Sequence, residues 1–157
     1  MVVDPSLKEI CAVTEKPAKC VSCLAPFLAG SPTDAVTVLN MFIEAIYKHV
    51  ERSISLLEKE TKKPSQLPVL TTCLDTCIES YDKIKIELVK AEDSCAAHDV
   101  DTATALLTAT ISKFGQCDES FHKNGMGESP MSEIDEILIE LVGFAVDVSQ
   151  KLIQKKH

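Results

Sequence analysis

At 157 residues the chain has the size of one domain around a single core. Apolar residues make up 45% and aromatics only 4%, with no Trp, which excludes a sheet built on aromatic and β-branched alternation and suits helices packed through Leu, Ile, Val and Ala. A formal net charge of −8 argues against nucleic acid and anionic membrane surfaces as partners, because both demand clustered Lys and Arg, and is compatible with a basic protein partner.

In chain order, residues 5–29 come first. Pro5 to Cys11 is expected to form a short helix. Lys16-Pro17 is a turn, since Pro17 disfavours helix at the residue before it and can then open the next helix as its first residue. Cys11 and Cys20 lie nearly symmetric about that turn. A bridge between them would staple a helical hairpin too short to hold alone. Gly30-Ser31-Pro32 punctuates, with Ser31 as cap and Pro32 as first helical residue of a long helix over about 32–62. Its inward set is Ala35, Leu39, Phe42, Ile46, His49, Val50, Ser53 and Leu57. His49 and Ser53 are polar on that stripe, and stand either for a ligand pocket or, more plainly, for a hydrogen-bonded pair at a bundle end.

After Lys63-Pro64-Ser65, a second long helix is expected over about 66–94 and a third over about 100–123. The turn between them centres on Ala97, which puts Cys77 and Cys117 each 20 residues away. Residues equidistant from the turn of an antiparallel hairpin share a height. Leu70, Leu74, Cys77, Tyr81, Ile84, Leu88, Ala91 and Cys95 follow helical steps, as do Ala103, Leu107, Thr110, Phe114, Cys117 and Phe121. Both cysteines therefore face inward at one height, where a disulfide can form. The alternative is two buried thiols. Asn124 to Gly127 is a loop. Ser129 caps and Pro130 starts a fourth helix to about Ile153, with inward stripe Ile134, Ile137, Leu138, Leu141, Ala145, Val148 and Leu152. Four long helices joined by short loops must run up-down-up-down. The expected class is all-α: one domain over 1–157, with an N-terminal helical hairpin at 5–29 and a four-helix bundle at 32–155.

Seven Cys argue for an oxidising, secreted setting. Cys20-x-x-Cys23 and Cys73-x-x-x-Cys77 each resemble half a zinc site, but no His-x-x-x-His partner follows, and no metal is expected. Val2-Val3-Asp4-Pro5 is not a signal peptide, so the chain reads as a mature form. No Asn-x-Ser/Thr site and no apolar run of membrane-spanning length occur. Glu119-Ser-Phe-His122 is half of a di-iron motif without a second copy, and its His is out of the inward phase. Nucleotide, zinc-protease and serine-hydrolase fingerprints are absent. No catalysis and no cofactor are expected.

These features together resemble the plant invertase and pectin methylesterase inhibitor family. Ile10-Cys11-x8-Cys20 is similar to its first cysteine pair, Cys77-Ile-Glu-Ser-Tyr81 to its Cys-x-x-x-Tyr on the second bundle helix, and Gln116-Cys117-Asp118-Glu119-Ser120-Phe121 to its cysteine motif on the third. The resemblance covers nearly the whole chain. It implies disulfides Cys11–Cys20 and Cys77–Cys117 around a hairpin and a four-helix bundle. Cys23, Cys73 and Cys95 are extra; a Cys23–Cys73 bridge with Cys95 left free is one arrangement. Invertase inhibitors of the family carry Pro-Lys-Phe in the turn that opens the third bundle helix. Here Val100-Asp101-Thr102 stands at those positions, next to Asp99.

The resemblance therefore implies a secreted plant inhibitor, in the apoplast, cell wall or vacuole, that forms a 1:1 complex with a carbohydrate-active enzyme. Pectin methylesterase is favoured over invertase, with helix faces docked over the cleft. Asp99, Val100, Asp101 and Thr102 are the partner-contact candidates, and Glu92 and Asp93 add acidity beside them. The alternatives are a non-inhibitory binding protein, like the pollen allergens of that family, and a small-molecule carrier using His49 and Ser53.

Overall fold

A computed structural model of the chain describes residues 5–24, 35–64 and 67–156. Its elements are α1 (Pro5–Cys11), α2 (Pro17–Leu24), α3 (Ala35–Thr61), α4 (Pro68–Ala96), α5 (Val100–Lys123) and α6 (Ser132–Lys156). No strand occurs among the described residues. Ser31 and Pro32, expected to open the first long helix, lie outside them.

Helix boundaries follow local chemistry. Pro17 and Pro68 each sit at the first position of their helix, where a missing N–H costs nothing and φ is already helical. Leu67 before Pro68 is extended, at φ −64° and ψ 137°, as a residue before proline must be. Ser129 Oγ accepts the Met131 N–H at 3.2 Å and the Ser129 carbonyl accepts the Ser132 N–H at 3.2 Å. That turn delays α6 to Ser132, two residues beyond the expected start at Pro130.

The long helices form a square: α3 packs on α4, α4 on α5, α5 on α6, and α6 on α3. Sequential neighbours are antiparallel, as short connections require. No described helix is long and apolar enough to cross a membrane. The core is aliphatic with two tilted ring pairs, Phe42–Phe144 between α3 and α6 at 6.3 Å and Tyr81–Phe114 between α4 and α5 at 6.2 Å. Each such pair adds about 0.5–1.5 kcal/mol beyond burial. The α1–α2 hairpin lies against α3 and α6. It is closed by the Cys11–Cys20 disulfide, filled by Leu7 and Leu24, and tied to α6 where Lys16 and Lys19 both reach Glu140.

Two expectations are corrected. Ile137 is 53% exposed, not inward. The buried row of α6 is Asp135, Leu138, Val142, Ala145 and Ser149, preceded by the buried Met131 and joined by Leu141, Phe144 and Val148. Ile137 shares its helical phase with the buried Leu141, Phe144 and Val148, so its exposure comes from thinner coverage near the start of α6 and not from a different phase. Nor do Cys23 and Cys73 pair: both are free thiols, as is Cys95. Cys73 is buried against α5, its Sγ 3.7 Å from the Ser120 carbonyl, whereas Cys23 sits near Lys19 and Glu140 on the hairpin side. The two belong to opposite sides of the bundle.

Candidate functional site

The sequence directs attention to the α4–α5 hairpin and its turn. Cys77 and Cys117 are joined, with Cα atoms 4.4 Å apart, at the height their equal distance from Ala97 requires. Around that bridge the helices are cross-bonded. The Ser80 hydroxyl donates to the Lys113 carbonyl at 2.6 Å, and Lys113 pairs with a half-buried Glu87. The hairpin is a rigid platform.

Its turn is compact. Asp99 N–H donates to the Ser94 carbonyl at 2.8 Å and His98 N–H to the Cys95 carbonyl at 3.0 Å, the two bonds of a Schellman ending. That ending needs a left-handed residue after the helix, and His98 supplies it at φ +59°. Asp99 then caps α5: its carboxylate accepts the Thr102 N–H at 3.1 Å and the Thr102 hydroxyl at 2.6 Å.

The four contact candidates are thus placed differently. Val100 is buried, 5% exposed, and its side chain belongs to the core. Asp99 and Thr102 are exposed but engaged with each other. Asp101 projects from the first turn of α5, exposed, as do Glu92 and Asp93 from the last turns of α4. Above the turn, α5 presents Asp101, Ala105, Thr108, Ser112, Gly115 and Glu119 outward at helical spacing. The Thr108 and Ser112 hydroxyls turn back to the Thr104 and Ala109 carbonyls, at 2.8 and 3.3 Å. The face is smooth and lets another backbone come close.

Sequence reasoning missed the polar knot behind this face. Asp135, 5% exposed on α6, accepts a short hydrogen bond from the Tyr81 hydroxyl of α4. Its second oxygen has no hydrogen-bond partner among the described residues. Burial pushes its pKa up from 3.8 to about 7; the Tyr81 bond opposes that and nearby Asp118 adds to it. Tyr81 itself is shifted up by burial and by Asp135, and stays a donor. Asp118 accepts the Ser129 N–H at 3.0 Å and meets His122 at 3.2 Å, which fastens the α5–α6 loop. One signal was available: Asp135 shares its helical phase with Leu138, Val142 and Ala145.

The remaining chemical candidates are accounted for locally. The Ser53 hydroxyl donates to the His49 carbonyl at 3.0 Å, a bond within α3. Burial, then Arg52, push the His49 pKa down. His122 of the Glu-x-x-His sequence is exposed and paired with Asp118. Among the described residues no group of three or more His, Cys, Asp or Glu could hold a metal ion.

Comparison with known proteins follows the same lines. The family profile described as plant invertase/pectin methylesterase inhibitor matches residues 5–150. A pectin methylesterase inhibitor from Arabidopsis, solved in mutant form A, superposes with a TM-score of 0.75 at 15% identity, covering 92% of this chain and 95% of that one. Another solved pectin methylesterase inhibitor, from Arabidopsis thaliana, gives 0.68 at 15% identity over 92% and 93% of the two chains. Among curated sequences, Pectinesterase 1 of Arabidopsis thaliana is 24% identical over 123 residues, 73% of this chain and 21% of that protein. A putative pectinesterase/pectinesterase inhibitor 26 of the same plant is 24% identical over 131 residues, 76% of this chain and 14% of that protein. The chain spans about a fifth or less of these two curated relatives. With its profile matched from the first hairpin helix into α6, the chain belongs to the plant invertase/pectin methylesterase inhibitor family.

Proposed function

We propose that the chain inhibits a pectin methylesterase-type enzyme of the plant cell wall, with no chemistry of its own, by laying the α4–α5 face over the enzyme's cleft in a 1:1 complex. The observation that carries this reading is the family match over residues 5–150. Two features of this chain favour the esterase over invertase. Val100-Asp101-Thr102 occupies the positions of the invertase-reaching Pro-Lys-Phe, so an acid replaces the lysine. Val100 is buried in the core and could not lead that turn into an active site. Two disulfides suit an extracellular setting. The platform suits inhibition because it is pre-organised. Bridged, cross-bonded helices lose little entropy on docking, and that loss is a main cost of binding.

The test is direct. Purified protein at micromolar excess should suppress methanol release from methylated pectin by a plant pectin methylesterase and leave sucrose hydrolysis by invertase unchanged. Full esterase activity under those conditions would overturn the reading.

A further inference from the structure

The outward face of α4 carries a pattern that the bundle does not use. Asp75, Glu79, Asp82, Ile86, Val89 and Asp93 follow steps of four and three, so they form one row along the helix. Ile86 is 56% and Val89 45% exposed, in the middle of the row. Acids flank them on both sides. Asp82 and Asp93 make no ion pair among the described residues, and Glu79 meets Lys83 at 3.3 Å. The neighbouring Lys85 is turned toward α3, 3.8 Å from Glu51 and over the Tyr47 ring. Among the described residues no element covers the row. α4 packs on α3 and α5, while the α1–α2 hairpin sits on α3 and α6.

We infer that this row imitates a short run of partly methyl-esterified pectin and occupies the esterase's substrate cleft as that polymer does; the inference rests on the inhibitory reading above. Pectin is a chain of uronic acid rings, each bearing a carboxylate or its methyl ester. A cleft that binds it must offer cationic or N–H donors to carboxylates and apolar space to ester methyls. The α4 row offers both kinds of group, carboxylate and branched methyl. Carboxylates of Asp82 and Asp93 stand at the ends and the branched methyls of Ile86 and Val89 between them, spaced by about 6 and 4.5 Å along the helix at 1.5 Å per residue. Its side chains have no ester carbonyl, so the enzyme has nothing to cleave. The smooth face of α5 beside it lets the row approach without obstruction. Charge complementarity chooses the occupant: an acidic row with an apolar centre fits a polyuronate-binding cleft.

Steady-state kinetics with purified plant pectin methylesterase and methylated pectin test this. Inhibition by the wild type should be competitive with pectin. Ile86→Ser/Val89→Ser should raise Ki about tenfold or more, since two partly exposed apolar side chains lose their burial. Asp82→Asn/Asp93→Asn should raise Ki about threefold to tenfold and flatten its dependence on salt. Ile137→Ser, on the far side of the bundle, should leave Ki unchanged. All four positions are at the surface, so Tm should stay near the wild-type value; if a double variant fails to fold, Ile86→Ser alone carries the measurement. Wild-type inhibition that survives both double substitutions, or that is not competitive with pectin, overturns the mimicry while leaving the inhibitory function in place. A wild type that inhibits no esterase overturns both.

Discussion

Asp135 enters the core on the first turn of α6 with one oxygen bonded to Tyr81 and burial raising its pKa to about 7. Unfolded, the same group titrates near 3.8. The folded state therefore holds the proton more tightly. That stabilisation is full below about pH 4 and is lost as pH rises through 7. Tm should accordingly fall between pH 5 and pH 8, and Asp135→Asn should flatten the profile; a wild-type Tm that is level across this range contradicts it. His49, pushed down by burial and Arg52, acts in the opposite sense at acid pH, so the Asn variant is the comparison that isolates Asp135. Tyr81→Phe removes the donor that steadies the charged carboxylate. It should cost about 1–3 kcal/mol in urea unfolding, more at pH 8 than at pH 5. Protonation of Asp135 is thus a contribution to core stability that is retained at acid pH.

At the scale of elements, the α4–α5 hairpin and the α1–α2 hairpin each close a loop through a disulfide, 40 and 9 residues long. In the chain-entropy account these contribute about 4 and about 3 kcal/mol. Cys77→Ala/Cys117→Ala should therefore lower the unfolding free energy more than Cys11→Ala/Cys20→Ala, measured by denaturant titration. The opposite order would mean that the hairpin, not the platform, limits stability. The cap at Asp99 separates folding from recognition. Asp99→Ala should cost about 1 kcal/mol because Thr102 loses its acceptor. Asp101→Asn should leave Tm unchanged and weaken inhibition if the turn meets basic groups on the esterase. An unaltered Ki for Asp101→Asn would confine recognition to the helix faces. The turn itself was legible, since the equal spacing of Cys77 and Cys117 locates it at Ala97 and the helix ends at Ala96. The left-handed His98 was not, because His adopts that conformation more often than most residues but far less readily than the Gly that usually marks it.

For the whole molecule, a net charge of −8 and exposed carboxylates at the α4–α5 turn make association with a basic partner electrostatically assisted. Inhibition should weaken as ionic strength rises from about 50 to 300 mM, as the Debye length shortens; salt-independent inhibition would place the recognition in apolar contacts alone. The all-α class, the hairpin preceding an up-down-up-down bundle and the inward positions of Cys77 and Cys117 follow from sequence alone, because helical periodicity and short loops leave a four-helix chain little topological choice. What each remaining residue does was decided only by tertiary contact. Ile137 is exposed although Leu141, Phe144 and Val148 in the same helical phase are buried, and Asp135 is buried although it is acidic, because how far each stretch of α6 is covered depends on its neighbours and not on its own pattern. Cys23 and Cys73 stayed apart because the hairpin lies on the α3–α6 side of the bundle. The Val100 side chain entered the core, and the row on α4 is exposed because no element among the described residues covers it. Local periodicity determines which residues share a face; only the packed bundle determines which way that face points.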